Sequence, residues 1–422
     1  MSRKLWSYNY DFEFELANQP AVKLYHQQKT PWWFLNRSSI LFAPLAGKHD
    51  AVLVYQSPPD ILLNKYKSYF PNIPEFLNIV LENGESNCVW QDFTAINNQN
   101  NFPAEFELSP WGWSPKAISL ATAQCKNTLS ESFEDTISHV NSKETSDFIR
   151  SNLLPESFHI PSVQIKNRKI SLNSLKSEIY RFISEFSQVK IKHYFGASGR
   201  LSDSVSDGVI ISRKMSEWLS WIRQSGGILL EKALDIDSEY SIQAELDTEG
   251  NIDILTLTRM FSNSNGSYLG NLLDLTENNI LVNLKESFKP LFSYLANVGY
   301  RGPIGLDLLK TKDGELKLIE INARYTMGRI AYEWNRILNS RRFGFFANFF
   351  LKDTSKQDLP SFFDFCRSLE SKLDCIISII NAVPSTQRPV SLITILVGAN
   401  TKDLLTNLLS QLYPSLFQRV KL

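Results

Sequence analysis

Cysteine and histidine are scarce. The 422 residues hold four cysteines (Cys88, Cys125, Cys366, Cys375), far apart and without a CxxC pair, which excludes a zinc ribbon and a disulfide framework. Five histidines (His26, His49, His139, His159, His193) are scattered, with no HExxH or related metal spacing. An excess of either charge is missing too. Lys plus Arg and Asp plus Glu stand at 44 each, so the composition carries no electrostatic footprint for nucleic acid or a membrane surface. No uninterrupted apolar run reaches the roughly 20 residues of a membrane span. The opening residues, MSRKLWSYNYDFEFEL, lack the apolar stretch of a secretion signal. The expectation is a cytoplasmic protein with neither nucleic acid nor membrane as partner.

What the chain does have is length for two or three domains with cores of their own. Its composition, 43% hydrophobic and 21% charged, is ordinary for a globular protein. The most informative stretch is Gly305 to Met327, GLDLLKTKDGELKLIEINARYTM. Leu306, Leu308 and Leu309 precede an Asp313-Gly314 pair of the kind that two-residue β-hairpins favour, and Leu316, Leu318, Ile319 and Ile321 follow it. Counting outward from that turn sets Lys312 against Glu315 and Asp307 against Glu320, with Asn322 on the same face. Opposed side chains stand about 4.5–5.5 Å apart, so two carboxylates there repel. A hard divalent cation would turn that repulsion into binding, and Mg²⁺ takes one or two carboxylates while leaving positions for phosphates. Without metal, loss of one carboxylate is expected to leave the fold unharmed or more stable. A longer, bulged turn would slip this register by one residue. A solvated sheet face is the plainer alternative for Asp307. Against it, Glu320-Ile-Asn322-Ala-Arg324 gathers an acid, an amide and a cation at the end of one hydrophobic strand.

In chain order, residues 1–125 read as a small α/β unit. Ser39–Ala43 and Ala51–Tyr55 are read as buried strands, Glu75–Leu81 as helical and Asn87–Trp90 as a further strand. Ser109-Pro-Trp-Gly-Trp-Ser-Pro115 breaks regular structure twice, and its Trp111-Gly112-Trp113 either walls a pocket or plugs a core gap. Asn141 is the expected N-cap of the next helix, with Glu144 at the capping-box position. Val189 to Arg200 is a β-like run ending in Gly196-Ala-Ser198-Gly199. Small residues there let backbone N–H groups approach an anion, and Lys192 can add a point charge. A helix from Met215 to Gln224 ends at Gly226-Gly227, before the strand-like Ile228–Leu234. Tyr240–Glu245 and Asn251–Phe261 suggest a second hairpin, near whose end Arg259 either binds a substrate anion or is an exposed strand arginine. Beyond 353 a helix over Phe362–Ile380, a strand Val390–Val397 and a helix Thr401–Leu412 read as an appendage without assigned chemistry.

The ordered set of Lys192 with its Gly/Ser loop, Glu231, Glu239, Asp307 and Glu320-x-Asn322-x-Arg324 resembles the ATP-grasp superfamily over residues 125–335. The resemblance implies an α/β protein, α+β in its ATP-binding part. It would have a pre-ATP-grasp-like domain at 1–125, a two-lobed ATP-grasp domain at 126–352 and an α/β extension at 353–422. The lid-bearing lobe would span about 140–232 and the metal-binding lobe about 233–340. By the same resemblance Asp307, Glu320 and Asn322 hold Mg²⁺, with Mn²⁺ as a substitute, against ATP phosphates. Lys192 contacts the α- and β-phosphates, Lys143 is a further nucleotide candidate or else a surface helix lysine, and Gly196, Ser198 and Gly199 form a flap. Glu231 accepts from the adenine amino group, the backbone of Lys232, Ala233 and Leu234 lines the base, and Glu239 binds the ribose. Arg324 and Arg259 face substrate. The flap is less glycine-rich than usual in that superfamily, with Leu201 following Arg200. The implied activity is a ligase joining a small-molecule carboxylate to an amine through an acyl phosphate, with a homodimer left open. A small-molecule kinase and a MgATP-binding regulatory module are the alternatives.

Overall fold

The computed structural model describes residues 3–9, 12–17, 37–54, 58, 60–70, 74–78, 105–196, 201–206, 211–262, 268–274, 278–338, 341–352, 359–384 and 390–412. The first sheet is parallel, in the order β3-β2-β1-β4, from β1 (Arg3–Ser7), β2 (Ala51–Val54), β3 (Glu75–Asn78) and β4 (Phe106–Pro110). Helices α1 (Phe12–Leu16), α2 (Asp60–Tyr69) and α3 (Pro115–Gln124) accompany it. Leu5, Ala51, Leu53, Phe106 and Leu108 meet Ala117, Leu120 and Ala121 of α3 in one small core. The apolar run expected as a strand at 39–43 lies instead in and just after a 3₁₀ turn, Arg37–Phe42, with Ile40, Leu41 and Phe42 buried. Glu75–Asn78, the described part of the segment expected to be helical after Pro74, is β3, paired along β2. Short apolar runs carry too little period to separate these states, and pairing decides. Asn87–Trp90 lies outside the described residues.

The Trp-Gly-Trp segment is held by its own unit. Asn9 donates to the Gly112 carbonyl (2.8 Å) and accepts from its N–H (3.2 Å). Trp111 meets Tyr8 and Phe42 edge-on.

The second sheet is antiparallel, in the order β5-β8-β6-β7. Helices α4 (Phe133–Val140) and α5 (Lys143–Leu153) lead into it. It then runs β5 (Ser162–Ile165), α6 (Leu172–Phe186), β6 (Gln188–His193), β7 (Ser202–Ser206), α7 (Ile211–Ser225) and β8 (Ile228–Lys232). Leu175, Ile179, Phe182 and Ile183 of α6 recur at helical spacing and join Trp218 and Ile222 of α7 over Val189, Ile191 and Leu230. The N-cap of α5 is Ser142, not Asn141: its Oγ accepts from the Thr145 N–H at 3.1 Å. Asn141 instead binds the backbone of Ala323, its Oδ1 accepting from the N–H at 2.9 Å.

The third sheet carries the rest: β9 (Ile236–Leu246), β10 (Ile252–Ser262), β11 (Tyr268–Asp274), α8 (Asn278–Asn297), β12 (Gly302–Thr311), β13 (Leu316–Asn322), α9 (Met327–Ile337) and β14 (Phe343–Lys352). Then come α10 (Leu359–Lys372), β15 (Cys375–Pro384), β16 (Val390–Ala399) and α11 (Lys402–Leu412). Its eight strands stand in the order β13-β12-β9-β10-β11-β14-β16-β15, all neighbours antiparallel. The segment beyond 353 is α/β as expected, but its strands continue this sheet through β14 rather than form a unit apart. The helix expected over 362–380 ends at Lys372, because Cys375-Ile-Ile-Ser-Ile-Ile380 is a β-branched run that pairs with β16.

Gly112 tests the N-terminal packing. A Cβ there would lie 2.6 Å from the Phe12 ring. Gly112→Ala is expected to lower stability by about 1–3 kcal/mol in chemical denaturation, the usual range for overpacking.

Candidate active site

Asp307 does pair with Glu320, but by a different route from the one counted on the sequence. The turn is longer. Thr311 N–H donates to the Glu315 carbonyl and Gly314 N–H to the Thr311 carbonyl, both at 2.9 Å, with Gly314 at φ 90°. That closes a three-residue loop, and the next pairs are Lys310–Leu316, Leu309–Lys317 and Leu308–Leu318, one residue off the expected register. A bulge at Ile319 then restores Asp307–Glu320 and Gly305–Asn322. The two departures cancel at the carboxylates.

Alternation across β12, β9 and β10 sorts the remaining candidates by face. Asp307 stands beside Ser241 and Thr258, while Glu239 is two residues along β9 on that face. Glu239 accepts from Ser262 Oγ at 2.8 Å. Arg259 pairs with Tyr240, which pairs with Leu308, so it lies on the opposite face, over the Phe261 ring at 5.2 Å. The structure therefore separates Arg259 from the carboxylates.

Around Asp307 the contacts are polar and close. Oδ1 accepts from Ser241 Oγ and Oδ2 from Asn322 Nδ2, each at 2.8 Å. The Asn322 amide oxygen accepts from Arg324 at 3.0 Å. Arg324 also pairs with Glu13 of α1 at 2.6 Å and lies 5.5 Å from the Trp111 ring centroid, so Trp111 walls the arginine. Burial first, then the Glu320 charge, pushes the Asp307 carboxyl up to about 6.

Glu320 has a cation that sequence reading did not assign to it. Lys143, at the first turn of α5, is buried. Its Nζ donates to Glu320 Oε1 and to the Gly196 carbonyl, both at 2.8 Å. The alternative of a surface helix lysine is thereby corrected. The same helix covers the free edge of β13. Arg150 donates to the Leu318 carbonyl (3.1 Å), and Ser146 Oγ accepts from the Ile321 N–H (3.1 Å).

Lys192 and Glu231 form a second ionic centre. The Lys192 side chain is 12% exposed and pairs with Glu231, which also pairs with Arg150 at 2.7 Å. The alternation that buries Val189, Ile191 and His193 in the sheet core turns Lys192 to the other face, where α5 lies. Glu231 is thus held by two cations rather than left open to a base. The N–H groups of Lys232 and Ala233 are bonded to the Pro161 and Gln188 carbonyls (2.9 and 3.0 Å), and Leu234 is half-buried. Ser198 and Gly199 lie outside the described residues.

Three participants escaped sequence reading: Ser241, Arg150 and Glu13. Ser241 follows Glu239 at strand period, and Arg150 follows Lys143 by two helical turns, so both carried a signal. Glu13 carried none. Cavities of about 260 Å³ lie under α8 (Leu257, Leu284, Leu308) and beside α5 (His139, Glu144, Tyr294); neither is walled by Asp307, Glu320 or Lys192.

Among the described residues no three His, Cys, Asp or Glu side chains are grouped to hold a metal. Two carboxylates and an amide, all oxygen donors, fit Mg²⁺ that completes its shell with phosphate and water, not an all-protein cage. The raised Asp307 carboxyl marks negative charge that such an ion would compensate.

A four-stranded and an eight-stranded antiparallel sheet behind a small parallel one give this chain the ATP-grasp fold. No family model and no curated protein matches the sequence. Solved structures do. N5-carboxyaminoimidazole ribonucleotide synthetase from Thermus thermophilus is 13% identical, with a TM-score of 0.54 over 89% of this chain and 94% of that one. Carboxyaminoimidazole ribonucleotide synthase from Aspergillus clavatus, solved with ATP, is 11% identical, with a TM-score of 0.54 over 88% and 99%. Biotin carboxylase from Campylobacter jejuni is 12% identical, with a TM-score of 0.52 over 94% and 88%.

The Lys143–Glu320 contact reverses the expected effect of removing one carboxylate. Glu320→Gln should lower metal-free stability by about 1–2 kcal/mol, since it strands a buried ammonium. The double variant Lys143→Met/Glu320→Gln should recover most of that loss in thermal melts.

Asp307 gives a pH signature of defined sign. Its native carboxyl holds a proton to about pH 6, whereas the unfolded one releases it near about 4. The native state binds more protons across that interval, so this group's contribution is complete below it and is lost as pH rises through 6. In metal-free melts, Asp307→Asn should gain on the wild type by on the order of 1–2 kcal/mol between about pH 4 and 7, after allowance for solvent screening.

Proposed function

We propose that the chain is an ATP-dependent ligase that joins a small carboxylate to an amine through an acyl phosphate, releasing ADP and phosphate. The observation that carries this reading is the meeting of Asp307, Glu320, Asn322 and Arg324 with the Gly196 end of the flap, through Lys143. A structural neighbour, the biotin carboxylase domain of Hydrogenobacter thermophilus 2-oxoglutarate carboxylase, was solved with MgADP, ADP and bicarbonate. It supports ATP and Mg²⁺ as the ligands here.

In this reading a carboxylate oxygen attacks the γ-phosphorus and ADP leaves. The amine nitrogen then attacks the acyl carbon, phosphate leaves and the nitrogen gives up a proton. Asp307, Glu320 and Asn322 would hold Mg²⁺, which would offset phosphate charge. Ser241 orients Asp307. Lys143 and Lys192 exchange their carboxylate partners for phosphates. The backbone at Lys232 to Leu234 borders the base and Glu239 faces the ribose, with 140–232 and 233–340 acting as the two lobes. Arg324 takes the substrate carboxylate in place of Glu13 and stabilises charge developing at the acyl carbon. Positioning and electrostatics suffice, and no side chain needs to act as a nucleophile.

The test is incubation with MgATP, pools of small carboxylates and hydroxylamine. Release of ADP with a hydroxamate is expected, and Asn322→Ala should slow it at least about 100-fold. ADP release with a stable phosphorylated product instead of a hydroxamate would establish a kinase. No nucleotide binding at millimolar MgATP in equilibrium dialysis would overturn the reading.

A further inference from the structure

We propose that Arg150 is a positioning residue that acts as the resident counter-ion of Glu231, releasing Lys192 to bind nucleotide phosphates without stranding a buried negative charge. The proposal rests on the nucleotide reading above. Glu231 is 2% exposed and has two cations, Lys192 on the neighbouring strand and Arg150 on α5. The two are unlike. Arg150 is 1% exposed and fixed on three elements. Its Nη2 pairs with Asp147 of its own helix at 2.6 Å, and its Nη1 reaches Glu231 of β8 at 2.7 Å and the Leu318 carbonyl of β13 at 3.1 Å. A planar fork bound at three points does not leave. Lys192 is a flexible stem, 12% exposed, at the margin of the cluster.

Asp147, Glu231, Arg150 and Lys192 together are electrically neutral. Asp147 is further held by Gln164 Nε2 at 2.7 Å and by Ser162. If Lys192 moves to a phosphate, Glu231 still has Arg150, and the ionised carboxylate is not left alone in a buried site, a state that is strongly destabilising. Burial alone would raise the Glu231 carboxyl; Lys192 and then Arg150 hold it at about 2, so it remains an anion that needs a partner at any working pH. Without Arg150, Glu231 would compete with the nucleotide for Lys192.

Equilibrium dialysis of MgATP against four proteins tests this: wild type, Arg150→Met, Glu231→Gln and Arg150→Met/Glu231→Gln, each first shown to melt cooperatively. Arg150→Met should weaken binding at least about tenfold. Adding Glu231→Gln should restore it to within about threefold of the Glu231→Gln single variant, because no carboxylate then holds Lys192. A merely structural arginine would give no such rescue. Binding by Arg150→Met equal to wild type, or no recovery in the double variant, overturns the proposal while leaving the nucleotide reading intact. Absence of binding by the wild type overturns both. Should Arg150→Met not fold, Asp147→Asn/Arg150→Met keeps the cluster neutral and carries the same two expectations.

Discussion

The strand that bears Glu320 and Asn322 is an edge strand, and its free edge is closed by a helix. An uncovered edge offers a row of N–H and C=O groups to any passing strand. Here α5 and the residue pair before it cover that row: Arg150 at the Leu318 carbonyl, Ser146 at the Ile321 N–H and Asn141 at the Ala323 N–H. The contacts flank the bulge at Ile319 on which the Asp307–Glu320 pairing depends. Carboxylate geometry is therefore set from α5, across more than 160 residues of chain. Because α5 also carries Lys143 and leads into β5, a movement of the β5–β8 sheet that carried α5 with it would disturb the acids.

That dependence explains what could be read from the chain and what could not. Alternation in β9, β10, β12 and β13 is local, so the hairpins and the shared face of Asp307, Glu320 and Asn322 were legible. The register was reached through two errors that cancel. A longer turn looks the same in sequence as a tight one when Asp313-Gly314 is present, and the bulge is pinned by Arg150, remote in sequence. Lys143 was misjudged because a lysine near a helix start is normally solvated; burial comes from the docking of that end onto Gly196 and Glu320. Arg259 failed on parity. One residue along a strand changes the face, and the pairing with Tyr240 was not visible before the structure. The C-terminal strands were legible as α/β, but their addition to the central sheet was not, since sheet order depends on pairs distant in sequence.

Glu13 and Trp111 bring the N-terminal unit to the candidate site. Arg324 meets the Glu13 carboxylate with both side chains little exposed, and it lies over the Trp111 ring. Such a pair has already lost most of its water, so its net worth is small compared with the cost of breaking it one-sidedly. Exchange is different. A substrate carboxylate that replaces Glu13 keeps the guanidinium paired, and the balance then turns on how the rest of the substrate packs against Trp111 and α1. Selectivity would accordingly reside in the unit least legible in sequence.

The acids and bases of the centre follow one pattern. Glu320 has Lys143, Glu231 has Lys192 and Arg150, Asp147 has Arg150, and Glu13 has Arg324. Asp307 is held by the neutral Ser241 and Asn322, and its carboxyl is the one raised. The unmet negative charge therefore stands at the position that the proposed function gives to the dication. Neutralising it there would weaken the hold of Glu320 on Lys143, which is also bonded to the carbonyl at the base of the flap. In the proposed function, lysines freed in this way would face phosphates and not bulk water. Binding then exchanges one set of close ion pairs for another, and at no stage need a buried charge stand alone, the condition that low-dielectric sites enforce most strictly.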